Sequence, residues 1–148
     1  MINYRIMKTS DIDALHKVWI STGQETNGAV TVDDTYDGLD KYLKRNPTTS
    51  FVAEDGDKII GAIMAGHDGR RGFFHHVSVM KEYQGQGIGK ALVEYAMQAL
   101  KDEGIRKVAL VAFTDNDSGN AFWEKQGFTV RKDLFYRNKY TDGHSVSK

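Results

Sequence analysis

A chain of 148 residues fits one domain, and at that size folding hides roughly 68 to 70% of the surface the unfolded chain exposes, so one sizeable core is feasible. Lys plus Arg and Asp plus Glu both number 20, so the formal net charge is zero and no overall field favours nucleic acid or an anionic membrane. Cysteine is absent, which removes disulfides, thiolate metal sites and a cysteine nucleophile together.

The segment Met1-Ile2-Asn3-Tyr4-Arg5 lacks the apolar centre of a signal peptide, and no window approaches the roughly eighteen apolar residues of a membrane span. A cytoplasmic protein is expected. No repeat, low-complexity block or linker divides the chain, so residues 1–148 read as a single domain with a fraying tail over 141–148.

Residues 3–7 alternate weakly and read as a first strand. Ser10 with Asp13 resembles a capping box, and Ile12, Leu15, Val18 and Trp19 recur at helical spacing. After the break at 21–30, Thr31 with Asp34 offers another cap; Tyr36, Leu39, Tyr42 and Leu43 then predict a second helix that stops before Pro47. Strands follow at Phe51-Val52-Ala53 and at 59–64, flanking the Asp55-Gly56 turn signal, and a third runs from about Gly72 to Met80, completing an antiparallel meander. Ile88, Leu92, Ala96 and Leu100 keep helical spacing up to Gly104. Residues 107–113 read as a buried strand, 118–126 as a short helix ended by Gly127, and 128–131 with 134–140 as a closing hairpin.

Between the third strand and the helix that opens at Ile88 lies Gln84-Gly85-Gln86-Gly87-Ile88-Gly89-Lys90. Glycines let a backbone turn tightly and approach a ligand, and the first N-H groups of a helix lack partners within it, so this junction suits an anion such as phosphate. The dinucleotide fingerprint would need glycine at position 90, and a Walker loop would need Ser or Thr at 91; Lys90 and Ala91 stand there.

The stretch resembles the Gln/Arg-x-x-Gly-x-Gly/Ala signature of the GNAT superfamily of N-acetyltransferases, matched by Gln84, Gly87 and Gly89. Asn116 followed by Phe122-Trp123-Glu124-Lys125-Gln126-Gly127-Phe128 is similar to that family's asparagine and its later Phe-Tyr-Glu-Lys-x-Gly-Phe ending. The resemblance covers roughly Tyr4 to Tyr140 and implies an α/β (α+β) GNAT fold, a mixed, mostly antiparallel twisted sheet flanked by helices. It also implies acetyl-CoA as co-substrate and transfer to an amine by direct attack in a ternary complex. Among mostly uncharacterised small bacterial members, a related turn matches His67-Asp68-Gly69-Arg70-Arg71-Gly72.

By the same resemblance, Val77, Ser78 and Val79 would meet the pantetheine arm through their main chain, and Gln84, Gly85, Gln86, Gly87, Ile88, Gly89 and Lys90 would hold the pyrophosphate. Asn116 would contact the cofactor; as a plain sequence feature it equally suits a helix cap. Phe122 and Phe128 read more simply as core. Trp123 stands where the family places a tyrosine acid, and an indole N-H donates a hydrogen bond without being an acid near neutral pH. Either the thiolate leaves without a proton donor, or another phenol, Tyr83 or Tyr136, reaches the sulfur.

His75 and His76 are adjacent on a predicted strand, one to each face, and His75 resembles the strand histidine used as base by arylalkylamine-type members. Glu25 and Asn27 fall where an acceptor amine is expected, whether on a small molecule or a protein. No metal and no nucleic-acid or membrane partner is expected, and a homodimer is compatible with the chain. A catalytically weak acetyl-CoA sensor and a nucleotide-phosphate hydrolase are the competing readings.

Overall fold

Five strands join in chain order into one sheet, β1 (Ile2–Ile6), β2 (Phe51–Asp55), β3 (Lys58–His67), β4 (Gly72–Val79) and β5 (Val108–Leu110). The first three pairings are antiparallel and β4 pairs parallel with β5, which is the mixed, mostly antiparallel sheet expected of an α/β chain. The computed structural model describes residues 1–24 and 29–144. They fall into two compact units, Met1–Val111 and Ala112–Lys148.

In the first unit the helices are α1 (Ile12–Ser21), α2 (Tyr36–Arg45) and α3 (Ile88–Asp102). A Cβ placed on Gly61 of β3 would touch Leu92 of α3, whereas one on Gly66 would strike Tyr42 of α2. Five residues along a strand reverse the face, so α3 covers one side of the sheet and α2 the other. That coverage explains why β3 is apolar on both faces, with Ile60, Ala62, Ile63, Met64 and Ala65 all buried. The stripes expected of α1 and α3 hold: Ile12, Leu15, Val18 and Trp19, like Ile88, Leu92, Ala96 and Leu100, are buried. On α2, Leu39 and Leu43 are buried and Tyr36 is exposed, so Tyr36 leaves the predicted stripe.

The start of α1 differs from the Ser10 and Asp13 reading. A single 3-10 turn, Thr9–Asp11, precedes the helix, and it is the Asp11 carboxylate that accepts the Lys8 N-H at 2.7 Å. Asp11 also takes both guanidinium branches of Arg5 at 2.8 and 2.9 Å, a fork that Asp13 on the exposed face does not make. The Thr31 and Asp34 cap forms as expected, with the Thr31 N-H on Asp34 Oδ2 at 2.7 Å, but it closes a 3-10 turn, and Thr35 caps α2. The β2-β3 loop is the two residues Gly56 and Asp57, with Gly56 in the left-handed region at φ 61°.

The predicted buried strand over 107–113 shortens to Val108–Leu110, with Ala109 exposed. Its ladder matches Gly72, Phe73 and Phe74, and it stops where β4 bulges at the next residue.

The second unit holds α4 (Asp117–Lys125). Asn116 Oδ1 accepts the Gly119 N-H at 3.1 Å, and Gly127, at φ 91°, turns the chain so that the Phe128 N-H reaches Trp123 O at 3.0 Å. No strand forms over 128–140 among the described residues, so the closing hairpin is overturned. Instead Arg131 clasps Asp133 through two 2.9 Å bonds, which bends the segment locally. A two-stranded hairpin is marginal without a third strand or a packed face, and this unit supplies no further strand among its described residues.

Because Leu92 is fully buried under β3, Leu92→Ala should cost about 2 to 5 kcal/mol. A urea midpoint that hardly moves would show that α3 is not seated as described.

Candidate active site

The site grows out of β4. In the β3-β4 ladder Met64 pairs with His76 and Ala65 with Phe74, so His75 is an extra, unpaired residue, a β-bulge. The bulge overturns the expectation that His75 and His76 point to opposite faces. His76 lies 4.4 Å, centroid to centroid, from Trp19 of α1, and His75 lies 5.3 Å from Tyr42 of α2, so both rings sit on the face covered by α1 and α2. Val77 and Val79, paired with Ile63 and Gly61, lie on the α3 face. Beyond Phe74 no strand among the described residues pairs with the outer edge of β4, so main-chain groups there have no ladder partner.

The two histidines differ in surroundings. His75 is walled by Tyr42 and by Phe73 at 4.7 Å while keeping one side open to solvent. This burial pushes its pKa below the usual imidazole value, and the neighbouring His76 adds to the effect. His76 is buried and its Nε2 lies 3.1 Å from Asp34 Oδ1. Its Nδ1 faces Gln24 Oε1 at 3.4 Å, and the Gln24 amide donates in turn to Ser78 Oγ. His16 Nε2 reaches the Asp34 carbonyl at 2.7 Å. Burial works to raise the Asp34 pKa, but hydrogen bonds from His76 and from the Thr31 N-H outweigh it and hold the carboxyl below its ordinary value.

After β4 the Met80 N-H continues the ladder onto Ile60 O at 2.8 Å, and a single 3-10 turn, Lys81–Tyr83, leads into the glycine loop. The Gln84 side chain donates back to Val79 O at 2.9 Å and so braces the loop. Gly85 and Gly87 stand at φ 80° and 81°, and nothing lies within 4 Å of a Cβ built on either, so backbone conformation rather than crowding requires glycine. Gly87 caps α3 without a side chain, and its carbonyl accepts the Ala91 N-H at 3.0 Å. Among the described residues no acceptor takes the N-H groups from Gly85 to Lys90. They form a cluster of donors at the positive end of a helix dipole, with Lys90 exposed beside them.

The remaining predicted residues have their own local surroundings. Glu25 and Asn27 lie outside the described residues. Asn116, in the second unit, has its Oδ1 engaged as the α4 cap. Trp123 packs edge-on against Phe122 at 5.0 Å and Phe128 at 5.2 Å, and all three rings are half-buried rather than core. Tyr136 lies on an exposed stretch outside any helix or strand. The Tyr83 hydroxyl donates to Asp55 Oδ2 at 2.6 Å, a bond that raises its pKa and holds it away from acid chemistry. Sequence reasoning missed Asp34, Gln24 and Tyr42 as neighbours of the histidines. Asp34 carried a signal as the capping carboxylate of Thr31, but nothing in the spacing showed that its second oxygen meets His76.

Residues 12–128 match the Acetyltransferase (GNAT) family, to which the chain belongs. N-alpha-acetyltransferase 30 of Schizosaccharomyces pombe is 34% identical over 99 residues, 64% of this chain and 66% of that protein. An acetyltransferase of Photorhabdus laumondii is 30% identical over 127 residues, 86% of each chain. The PaiA N-acetyltransferase of Thermoplasma acidophilum, crystallised with coenzyme A, shares the fold with a TM-score of 0.76 at 21% identity, over 88% of this chain and 91% of that one. No helix among the described residues is long and apolar enough to cross a membrane.

The depressed Asp34 pKa has a stability consequence. A carboxyl held below its ordinary value in the folded state contributes fully above about pH 4, and that contribution is lost as pH falls further. Asp34→Asn should therefore lower the urea midpoint at pH 7 and flatten the fall of stability below pH 4. Parallel pH profiles for the two proteins would contradict the pairing with His76.

Proposed function

We propose that the chain is an N-acetyltransferase that moves an acetyl group from acetyl-CoA to an amine by direct attack in a ternary complex. The observation that carries this reading is the run of unpaired amides from Gly85 to Lys90 at the head of α3, which fits a diphosphate and has no other assigned acceptor among the described residues. Lys90 adds a positive charge, while Gln84 acts through Val79 O as a brace. The open edge of β4 at Val77, Ser78 and Val79 suits the amide-rich pantetheine arm, which can behave as an added strand.

When bound, acetyl-CoA supplies a thioester whose carbonyl carbon accepts the amine lone pair, the C-N bond forming as the C-S pair leaves on sulfur, so that an amine and a thioester become an amide and a thiol. The role of His75 is to take a proton from the acceptor ammonium before attack. Its lowered pKa keeps the ring neutral at pH 7 and so ready to accept that proton. Main-chain N-H groups along the β4 edge are placed to stabilise developing negative charge. Trp123 donates or packs rather than protonates, and a thiol pKa of about 8.5 makes unaided departure feasible. The acceptor is an amine on a small molecule or a protein.

Trp123 in place of the family's tyrosine also favours a second reading, an acetyl-CoA sensor without turnover, and a thiol-release assay over an amine panel separates the two. Calorimetry should show coenzyme A binding more tightly than ATP, and Gly87→Val, strained at φ 81°, should weaken coenzyme A at least about tenfold. Tighter ATP binding would replace this reading with the hydrolase one. His75→Gln should lower kcat by about 100-fold while leaving coenzyme A affinity near that of the parent. The parent rate should fall on an acid limb that lies below the ordinary imidazole value of about 6.5, and the variant should lose that limb. An unchanged profile would remove His75 from the mechanism.

A further inference from the structure

A cavity of about 380 Å³ lies within the Met1–Val111 unit, between α2 and the start of β4, a volume in the range of small-molecule sites. Gly66 forms part of its floor: a Cβ there would come within 2.5 Å of the Tyr42 hydroxyl and 2.7 Å of the Asn46 amide. The absence of a side chain at this position lets Tyr42 and Asn46 pack directly against β3 beside the cavity. The rings of Tyr42, Phe73 and His75 line the walls, with His75 edge-on to Tyr42.

The polar groups around the cavity are unbalanced. The Tyr42 hydroxyl is buried and has no hydrogen-bond partner among the described residues. Burial raises its pKa, so it remains a donor at any working pH. Arg45 and Arg71 are exposed at the lining and neither meets a carboxylate within ion-pair distance among the described residues. Asp68 also lines the cavity, but its Oδ1 already accepts the N-H groups of Arg70 and Arg71, both at 2.8 Å. His67 is tied to Glu103 at 2.8 Å. Arg45 and Arg71, without an ion pair among the described residues, thus line a ring-walled space beside Asp68, whose Oδ1 is already engaged, and a carboxylate matches the guanidinium fork.

We infer that this cavity receives the acceptor, and that the acceptor is an amine carrying both a carboxylate and a flat apolar body, the chemical class of the aromatic amino acids. The inference rests on the acetyltransferase reading above, and the bond changes are the same. Arg45 and Arg71 hold the carboxylate, Tyr42 and Phe73 flank the ring, and His75, shared between the cavity and the β4 bulge, faces the amine.

The test compares phenylalanine with phenethylamine, which lacks the carboxylate, first by calorimetry without acetyl-CoA and then in the acetylation assay. Phenylalanine should bind at least about tenfold more tightly, and Arg45→Gln and Arg71→Gln should each shrink that ratio severalfold. Gly66→Ala, whose methyl would displace the Tyr42 and Asn46 side chains at the cavity lining, should weaken binding of both. The arginine variants, at the surface, keep the test valid if the glycine variant fails to fold. Equal affinities, or a ratio that neither arginine variant changes, would overturn the carboxylate assignment. Phenylalanine that binds in an arginine-dependent way without being acetylated would support the pocket and sink the transfer reading. Acetylation of phenethylamine as efficient as that of phenylalanine would sink the pocket and leave the transfer reading standing.

Discussion

One extra residue in β4 governs most of what surrounds it. The bulge at His75 breaks the register between Met64 and Ala65, and the parallel pairing with β5 ends at Phe74, immediately before it. Past that point β4 keeps its ladder with β3 on one side, and on the other no strand among the described residues pairs with it. The same bulge brings His75 to the face already occupied by His76, so two imidazoles lie under α1 and α2 rather than on opposite sides of the sheet. An uninterrupted strand would have covered its edge and separated the rings.

Two neighbouring histidines then acquire different chemistry from their partners. His76 is locked by Asp34 and Gln24 beneath Trp19, and through them it ties both ends of the described part of the α1-α2 connection to β4. Buried polar groups so fully engaged specify a position and resist exchange. His75 has aromatic walls and one open side, an environment that favours the neutral ring without burying it completely. Anchor and proposed base thus occupy consecutive positions.

Much of the fold was legible because the periodicities were strong. The stripes of α1 and α3, the Asp55-Gly56 turn signal and the apolar run of β3 each follow from side-chain burial, which sequence spacing records directly. The glycine loop was equally legible, since left-handed backbone at Gly85 and Gly87 leaves a residue-type signature. A bulge leaves none: nothing in Phe74-His75-His76-Val77 distinguishes strict alternation from an inserted residue, and the two histidines were placed on opposite faces for that reason. The capping of α1 depended on Arg5 reaching Asp11, a contact between elements that no local motif encodes. The hairpin expected over 128–140 shows the opposite failure, where the segments read as strands but no additional strand among the described residues of that unit supports the pair.

The central claim is that main-chain amides from Gly85 to Lys90, together with the free edge of β4, form a coenzyme A cradle. The most direct measurement is a two-dimensional amide NMR titration of the protein with coenzyme A. The largest shifts should fall on the amides of residues 85–90 and on alternate residues of 76–79, the spacing of a single strand edge. Saturable shifts confined to other segments, or none at all, would contradict the account.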